Sequence, residues 1–210
     1  MLPFLLDIMG VASFAVSGAM VAVNRKADLF GVLFLAVVTA LGGGIIRDVM
    51  LGQLPPRMFT SYVYIAVAVA FALAVFIAAL LGKEKYRVNE ARLDAVDNVF
   101  DAIGLAAFTV SGANIVIETY GLGNPVLIVA MGMTTGFGGG MLRDVFTNTM
   151  PMVLCKHVYA VASLAGGLIY YLMLRLGVAE LVCDVTAMAV IFILRMLATR
   201  FKWNLPRVDM

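Results

Sequence analysis

Gly42-Gly43-Gly44-Ile45-Ile46-Arg47-Asp48 and Gly138-Gly139-Gly140-Met141-Leu142-Arg143-Asp144 are two copies of one motif in a chain of 210 residues. Both lie inside long apolar stretches, where three consecutive glycines weaken a helix and an Arg-Asp pair is costly to bury. Weakened helix and buried charge at two matched positions point to a transport site.

Hydrophobic residues make up 63% of the chain and charged residues 13%, with a mean hydropathy of +1.01. A soluble domain carries about a quarter charged residues, so this composition belongs in a bilayer. A net charge of +2 is too small to argue for nucleic acid, and the basic residues cluster between apolar segments. Cys155 and Cys183 have no metal-ligand or redox spacing and read as small hydrophobes. With His157 as the single histidine and no nucleophile–base pair visible, neither catalytic residues nor a metal site are expected. The first segment lacks a basic leader region, carries Asp7 early and shows no clear cleavage pattern, so it reads as a retained span.

A bilayer core of about 30 Å needs about 20 helical residues. Seven stretches qualify, near 2–23, 29–51, 61–81, 95–117, 125–146, 156–176 and 181–201. The second and fifth contain the glycine triplets. One set of loops and the C-terminus holds Arg25, Lys26, Lys83, Lys85, Arg87, Arg92, Lys156, Arg200, Lys202 and Arg207, ten basic residues, against Arg57 and Arg175 on the other side. The positive-inside rule then places a multi-pass protein in the cell (inner) membrane with its N-terminus outside and its C-terminus in the cytoplasm.

The similarity between halves extends beyond the triplets. Asp7-Ile8-Met9-Gly10 and Ser17-Gly18-Ala19 match Asp101-Ala102-Ile103-Gly104 and Ser111-Gly112-Ala113 at an offset of 94, and Thr39 to Asp48 match Thr135 to Asp144 at an offset of 96. Pro55 then falls on Pro151. The expected organisation is a first repeat over 1–82, a basic cytoplasmic loop over 83–94, a second repeat over 95–177, and a seventh span with its tail over 178–210. Three spans per repeat is an odd number, so the second unit enters from the opposite side. The fold class expected is an all-α integral membrane protein: two inverted three-helix repeats plus a seventh helix, with kinked second and fifth helices. Close helix packing is the competing explanation for the small residues, and it suits Ser17-Gly18-Ala19 and Ser111-Gly112-Ala113 well.

Each glycine costs up to about 1 kcal/mol relative to alanine in a helix interior. The triplets Gly42, Gly43, Gly44 and Gly138, Gly139, Gly140 therefore predict a kink or break that frees backbone carbonyls for a cation, with Thr39, Thr134 and Thr135 adding hydroxyl oxygens. Adjacent helical residues point about 100° apart, so Arg47 is not expected to close on Asp48, nor Arg143 on Asp144. A carboxylate of the opposite repeat is the expected partner, with Asp48, Asp144, Asp7, Asp97 and Asp101 as candidates. Such pairs either lock the repeats together or form a positive gate beside the pathway. Asp97 reads as a helix cap and Asp101 as a buried partner. Substituting Arg47 or Arg143 is expected to have similar effects if the repeats are symmetric.

Two copies of Gly-Gly-Gly-x-x-Arg-Asp on the second and fifth of seven spans resemble the prokaryotic trimeric intracellular cation (TRIC) channel family, over essentially the whole chain. The resemblance implies a homotrimer in which each protomer encloses its own pore, conducting potassium and other monovalent cations. It also implies that the kinked second and fifth helices line that pore at Gly42–Gly44 and Gly138–Gly140. The animal relatives carry a lysine-containing motif where this chain reads Gly-Ile-Ile-Arg-Asp, so their lipid regulation does not carry over. Bacterial members have also been classed as glycine transporters, which keeps a secondary transporter for glycine or another small amino acid as the alternative. No cofactor is expected; the partners are transported K+ or Na+, membrane lipids including a bound lipid, and other copies of the chain, with no nucleic acid.

Overall fold

Without water, a chain in a bilayer satisfies its backbone amides only within its own helices, and the apolar stretches fold accordingly. The computed structural model describes residues 2–82, 90–155 and 158–203. Its nine helices among those residues are α1 (Leu2–Asn24), α2 (Leu29–Met50), α3 (Arg57–Thr60), α4 (Tyr62–Leu81), α5 (Glu90–Tyr120), α6 (Pro125–Phe146), α7 (Met152–Cys155), α8 (Tyr159–Arg175) and α9 (Glu180–Arg200). Six of them, α1, α2, α4, α5, α6 and α9, are long and apolar enough to cross a membrane. The sixth predicted span appears as α8, an apolar helix of 17 residues. At 1.5 Å per residue it is about 26 Å long, a little short of the hydrocarbon thickness. Most of the expected basic loop, with Lys83, Lys85 and Arg87, lies outside the described residues, as do Lys156, His157 and Arg207. α5 begins at Glu90, so the end of that loop, 90–94, is already helical.

The motif-bearing helices begin and end alike. Asp28 caps α2 by accepting from the Gly31 amide at 2.8 Å, and Asn124 caps α6 by accepting from Leu127 at 3.1 Å. Both side chains satisfy an amide that the first helical turn leaves unpaired. At the other end the amides of Leu51 and Gly52 donate to the carbonyls of Arg47 and Val49, and those of Thr147 and Asn148 to the carbonyls of Arg143 and Val145. The chain then turns back, with Gln53 N–H donating to Asp48 O at 2.8 Å and Thr149 N–H to Asp144 O at 2.9 Å. Each turn leads into a four-residue helix, α3 or α7.

Packing is reciprocal as well. α1 crosses α5 with Phe14 and Phe108 in contact, ring centroids 5.4 Å apart. Gly10 leaves room for the Phe108 ring, and Gly104 leaves room for Phe14. Beside them α2 crosses α6. A Cβ built on Gly43 would come within 2.2 Å of the Thr135 carbonyl oxygen, and one on Gly139 within 2.0 Å of the Thr39 carbonyl oxygen. Two helix backbones touch here, each carbonyl resting on the other helix's glycine. α4 packs on α1 and α2, α8 on α5 and α6, and α9 adds to α8 and α5.

One expectation is overturned. α2 and α6 run through their triplets as single uninterrupted helices, so no break releases carbonyls to a cation. The three glycine penalties sum to about 3 kcal/mol per helix, while each buried unpaired carbonyl costs about 1–3 kcal/mol and a break exposes several of them. Continuity wins, and the triplets serve close approach. Gly43→Ala or Gly139→Ala forces the backbones apart, so each is expected to lower stability by about 1–3 kcal/mol. Gly123→Ala, in open space at a loop, is expected to change little; thermal unfolding in detergent compares the three.

Candidate functional site

Three arginines are buried in the span-forming helices: Arg47 at 0% exposure, Arg143 at 1% and Arg195 at 1%. A buried guanidinium is stable only when its donors meet acceptors, so their partners define the polar interior. Arg143 is the best supplied. Its Nε donates to Asp144 Oδ1 at 2.9 Å, its Nη2 lies 2.9 Å from the same oxygen, and its Nη1 donates to Asp101 Oδ1 at 3.0 Å and to Ser17 Oγ at 2.5 Å. Ser17 in turn donates to Asp97 Oδ1 at 2.6 Å. Arg195 of α9 reaches the same place. Its Nη2 donates to Asn98 Oδ1 at 3.0 Å and sits 3.9 Å from Asp101 Oδ2, with the guanidinium 4.4 Å over the Tyr159 ring. Four helices, α1, α5, α6 and α9, thus converge on one knot of charge, with Tyr159 of α8 beside it.

The first-repeat counterpart is sparser. Arg47 Nε donates to Asp48 Oδ1 at 2.8 Å and its Nη2 lies 2.7 Å from that oxygen, while Nη1 has no hydrogen bond within the protein. Asp7 stands where symmetry puts the match of Asp101, but Ser111 and Tyr64 donate to it instead, Tyr64 at 3.3 Å. The two serines of the repeated Ser-Gly-Ala blocks therefore cross over, Ser17 to Asp97 and Ser111 to Asp7, and stitch α1 to α5.

The adjacent Arg–Asp pairs do close on themselves, against expectation. The arginine side chain is long enough to fold back along the helix, and the aspartate is fixed from its other side. Asp48 Oδ2 accepts the Arg57 amide at 2.7 Å and Asp144 Oδ2 accepts the Met152 amide at 2.8 Å. Each aspartate thus caps the first residue of a short helix, α3 or α7, while its second oxygen holds the arginine. Reciprocal pairing of each arginine with a carboxylate of the other repeat is likewise corrected: Asp101 belongs to Arg143's own half, and only Ser17 crosses. Asp97 lies inside α5, well past its first turn, so it is no cap; it faces Ser17. Asp101 is the buried partner expected of it.

The threonines differ from expectation too. Thr39 and Thr135 are buried, and their hydroxyls donate to Leu35 O and Met131 O of their own helices at 2.6 Å. Gly18 and Gly112 make room for them: a Cβ on either would come within 2.6 and 2.3 Å of the respective Oγ1. Close packing therefore accounts for the Ser-Gly-Ala blocks as well as for Thr39 and Thr135. Thr134 is half-buried. Gly140 borders the knot, 3.6 Å from Asp101 Oδ1 and 3.7 Å from Arg143 Nη2 in Cβ position.

A cleft of about 450 Å³ opens onto this knot, between the end of α1, the start of α5 and the turn after α6. Asn24, Arg25, Asp94, Asp97, Thr147 and Thr149 line it, with the buried Arg143 and Asp144 at its inner end. The sequence marked Arg143, Asp144, Asp101 and Asp97; it did not single out Asn98, Tyr64, Tyr159 or the bonding of Ser17 and Ser111. Arg195 carried the one usable signal, a charge in the middle of an apolar span.

Comparison with known proteins agrees with this architecture. The family described as "Glycine transporter" matches residues 4–79 and 98–175. The chain is 35% identical over 210 residues to the UPF0126 inner membrane protein YadS of Escherichia coli K12, covering 98% of this chain and 96% of that protein. It is 42% identical over 163 residues to a UPF0126 membrane protein of Deinococcus radiodurans, with 77% and 71% covered. A prokaryotic TRIC channel solved in 0.5 M KCl superposes with a TM-score of 0.86 at 34% identity, covering 98% of this chain and 99% of that one. The TRIC orthologue of Rhodobacter sphaeroides gives 0.84 at 29%, covering 96% and 98%. The resemblance to prokaryotic TRIC channels read from the motifs is thereby borne out.

The unequal bonding of the two arginines replaces the expectation of equal substitution effects. Arg143→Ala leaves Asp101 with only the more distant Arg195 and Asp144 with only the Met152 amide, and is expected to cost about 3–5 kcal/mol, whereas Arg47→Ala removes the cation from Asp48 alone and costs measurably less. Unfolding of the two variants in the same detergent gives the comparison; equal losses would contradict it.

Proposed function

The chain belongs to the family described as "Glycine transporter", and we propose that within it the protein is a potassium-permeable monovalent cation channel, a homotrimer with a pathway inside each protomer. The observation that carries this reading is the polar cleft ending on the Arg143 knot. Likeness over nearly the whole chain to solved TRIC channels supports it. Asp94 and Asp97 on the cleft wall attract cations, offset in part by Arg25 on the same wall, and Asn24, Thr147 and Thr149 offer neutral oxygens that bind weakly enough to let an ion leave. Arg143 ends the cleft as a tethered positive group. Passage requires that guanidinium to shift among Asp101, Asp144 and Ser17, so the knot acts as a gate.

The pathway runs beside α2 and α6 rather than through their triplets, because the backbones touch at Gly43 and Gly139. Those glycines hold the two pathway helices together, and Arg47 with Asp48 closes the opposite end as Arg143 with Asp144 closes this one. The repeats are inverted with respect to the membrane, the N-terminus lies outside and the C-terminus in the cytoplasm, and the cleft faces the side rich in basic residues. Repeat boundaries follow at 1–82 and 95–177, with α9 as the seventh span. Membrane lipids surround the trimer.

Glycine transport, the reading suggested by the family's description, needs broken helices whose amide ends hold a substrate carboxylate. Continuous α2 and α6 leave no such ends at the triplets. Planar-bilayer recording of the purified protein under a potassium gradient, with and without glycine, tests the choice. Discrete current steps reversing near the potassium potential are expected; a silent bilayer together with saturable glycine uptake into proteoliposomes would replace the channel with the transporter. Asp94→Asn is expected to lower conductance at low salt and less at high salt, because screening already weakens an exposed charge there.

A further inference from the structure

The repeat gives the Arg143 cleft a matching position at the opposite end of the molecule, and there the walls are joined. Arg25 lines the cleft at the end of α1, and Thr147 and Thr149 line it on the turn after α6. At the offset of 94, Thr119 and Tyr120 at the end of α5 match Arg25 and Lys26. At the offset of 96, Leu51, Gly52 and Gln53 after α2 match Thr147, Asn148 and Thr149. The two turns fold alike, each pivoting on a left-handed residue, Gly52 at φ 69° and Asn148 at φ 54°.

Their side chains are used differently. At the cleft, the hydroxyls of Thr147 and Thr149 turn back to the Arg143 and Asp144 carbonyls and to each other. None of the hydrogen bonds found among the described residues crosses from them to Arg25. At the opposite end Gln53 Nε2 donates to Thr119 Oγ1 at 3.3 Å, and Tyr120 Oη donates to the Leu51 carbonyl at 3.2 Å. The Thr119 hydroxyl spends its own hydrogen on the Ile115 carbonyl at 2.8 Å, so its oxygen is left to accept from Gln53. Beneath these bonds Leu51 packs with Ile117 on a cluster that includes Leu6 of α1 and Val116 of α5. Its match at the cleft is the polar Thr147. The buried carboxylates report the same contrast: Asp144, 6% exposed, reaches the cleft, whereas Asp48 is 0% exposed.

Given the channel reading, we propose that Gln53, Thr119 and Tyr120 form a strap that closes the mouth opposite the Arg143 cleft, and that its release opens the pathway at that end. Leu51, drawn across by the strap, stops ions by excluding the water they travel with. Both strap bonds are neutral and exposed, so water replaces them at little cost. Against them stands Arg47 Nη1, buried next to the same turn without a hydrogen bond in the protein. An unpaired buried donor is destabilising, and an opened mouth lets water reach it. Weak bonds that hold the mouth shut and an unpaired donor that favours opening make the strap a releasable closure.

The double variant Thr119→Val, Tyr120→Phe removes the acceptor of Gln53 and the hydroxyl that holds Leu51, with little change in side-chain shape. In planar-bilayer recordings its open fraction is expected to rise several-fold over the native chain at unchanged unitary current, because the cleft and Arg143 are untouched. Hydrogen–deuterium exchange of the full chain in lipid vesicles reads the strap without any current. The amides of Leu51, Gly52 and Gln53, all bonded to α2 carbonyls, are expected to exchange several-fold faster in the variant, while those of Thr147 to Thr149 keep their native rates. Should the double variant fail to fold, Tyr120→Phe alone is read in the same two ways. Native exchange rates at 51–53 in the variant, or a native open fraction, would overturn the strap. A native chain that passes no current overturns the channel reading instead, and the exchange rates then decide the strap alone.

Discussion

The contact between the backbones of α2 and α6 is the constraint on which the other helices depend. Each helix lays a threonine carbonyl, Thr39 or Thr135, on a glycine of its partner, Gly139 or Gly43. Lipid tails are as apolar as any side chain, so helices in a bilayer associate through close packing rather than by escaping water. Close packing needs small residues at the crossing, and a triplet supplies them over a full turn. The crossing in turn sets where Arg47 and Arg143, three residues beyond the triplets, enter the interior.

From that crossing the charged residues follow. An arginine buried between apolar helices must be met by acceptors, and each Asp following it is placed by a short helix whose first amide it caps. One aspartate therefore does two jobs, holding a guanidinium and starting α3 or α7. The knot around Arg143 gathers α1, α5, α6 and α9, while that around Arg47 is less complete. This difference breaks the equivalence of the halves and gives the proposed pathway a firmly tethered end and a looser one.

Much of the fold was legible in the sequence. Apolar length marked the spans, with α8 the shortest, and the repeated blocks marked the two stretches of chain whose helices the structure ends and packs alike. Asp101 was readable as a buried partner because a carboxylate inside an apolar stretch needs one. The site was less legible. An i,i+1 Arg–Asp contact depends on side-chain rotamers and on the Arg57 and Met152 amides arriving from the next turn, which helical periodicity does not encode. Whether a glycine triplet interrupts a helix or admits a neighbour cannot be told from its own propensity, because the deciding partner is another helix.

The sequence by itself determined that this is a multi-span helical membrane protein built from two related halves, since hydropathy and repetition are properties of the chain alone and a bilayer permits few folds. Tertiary structure alone decided what each polar residue does: Thr39 and Thr135 turned inward to their own helices, Asp97 set against Ser17, and Arg195 brought across to Asp101. Those roles come from the order in which donors and acceptors are used up in a space without water. That order exists only once residues distant in the chain have met.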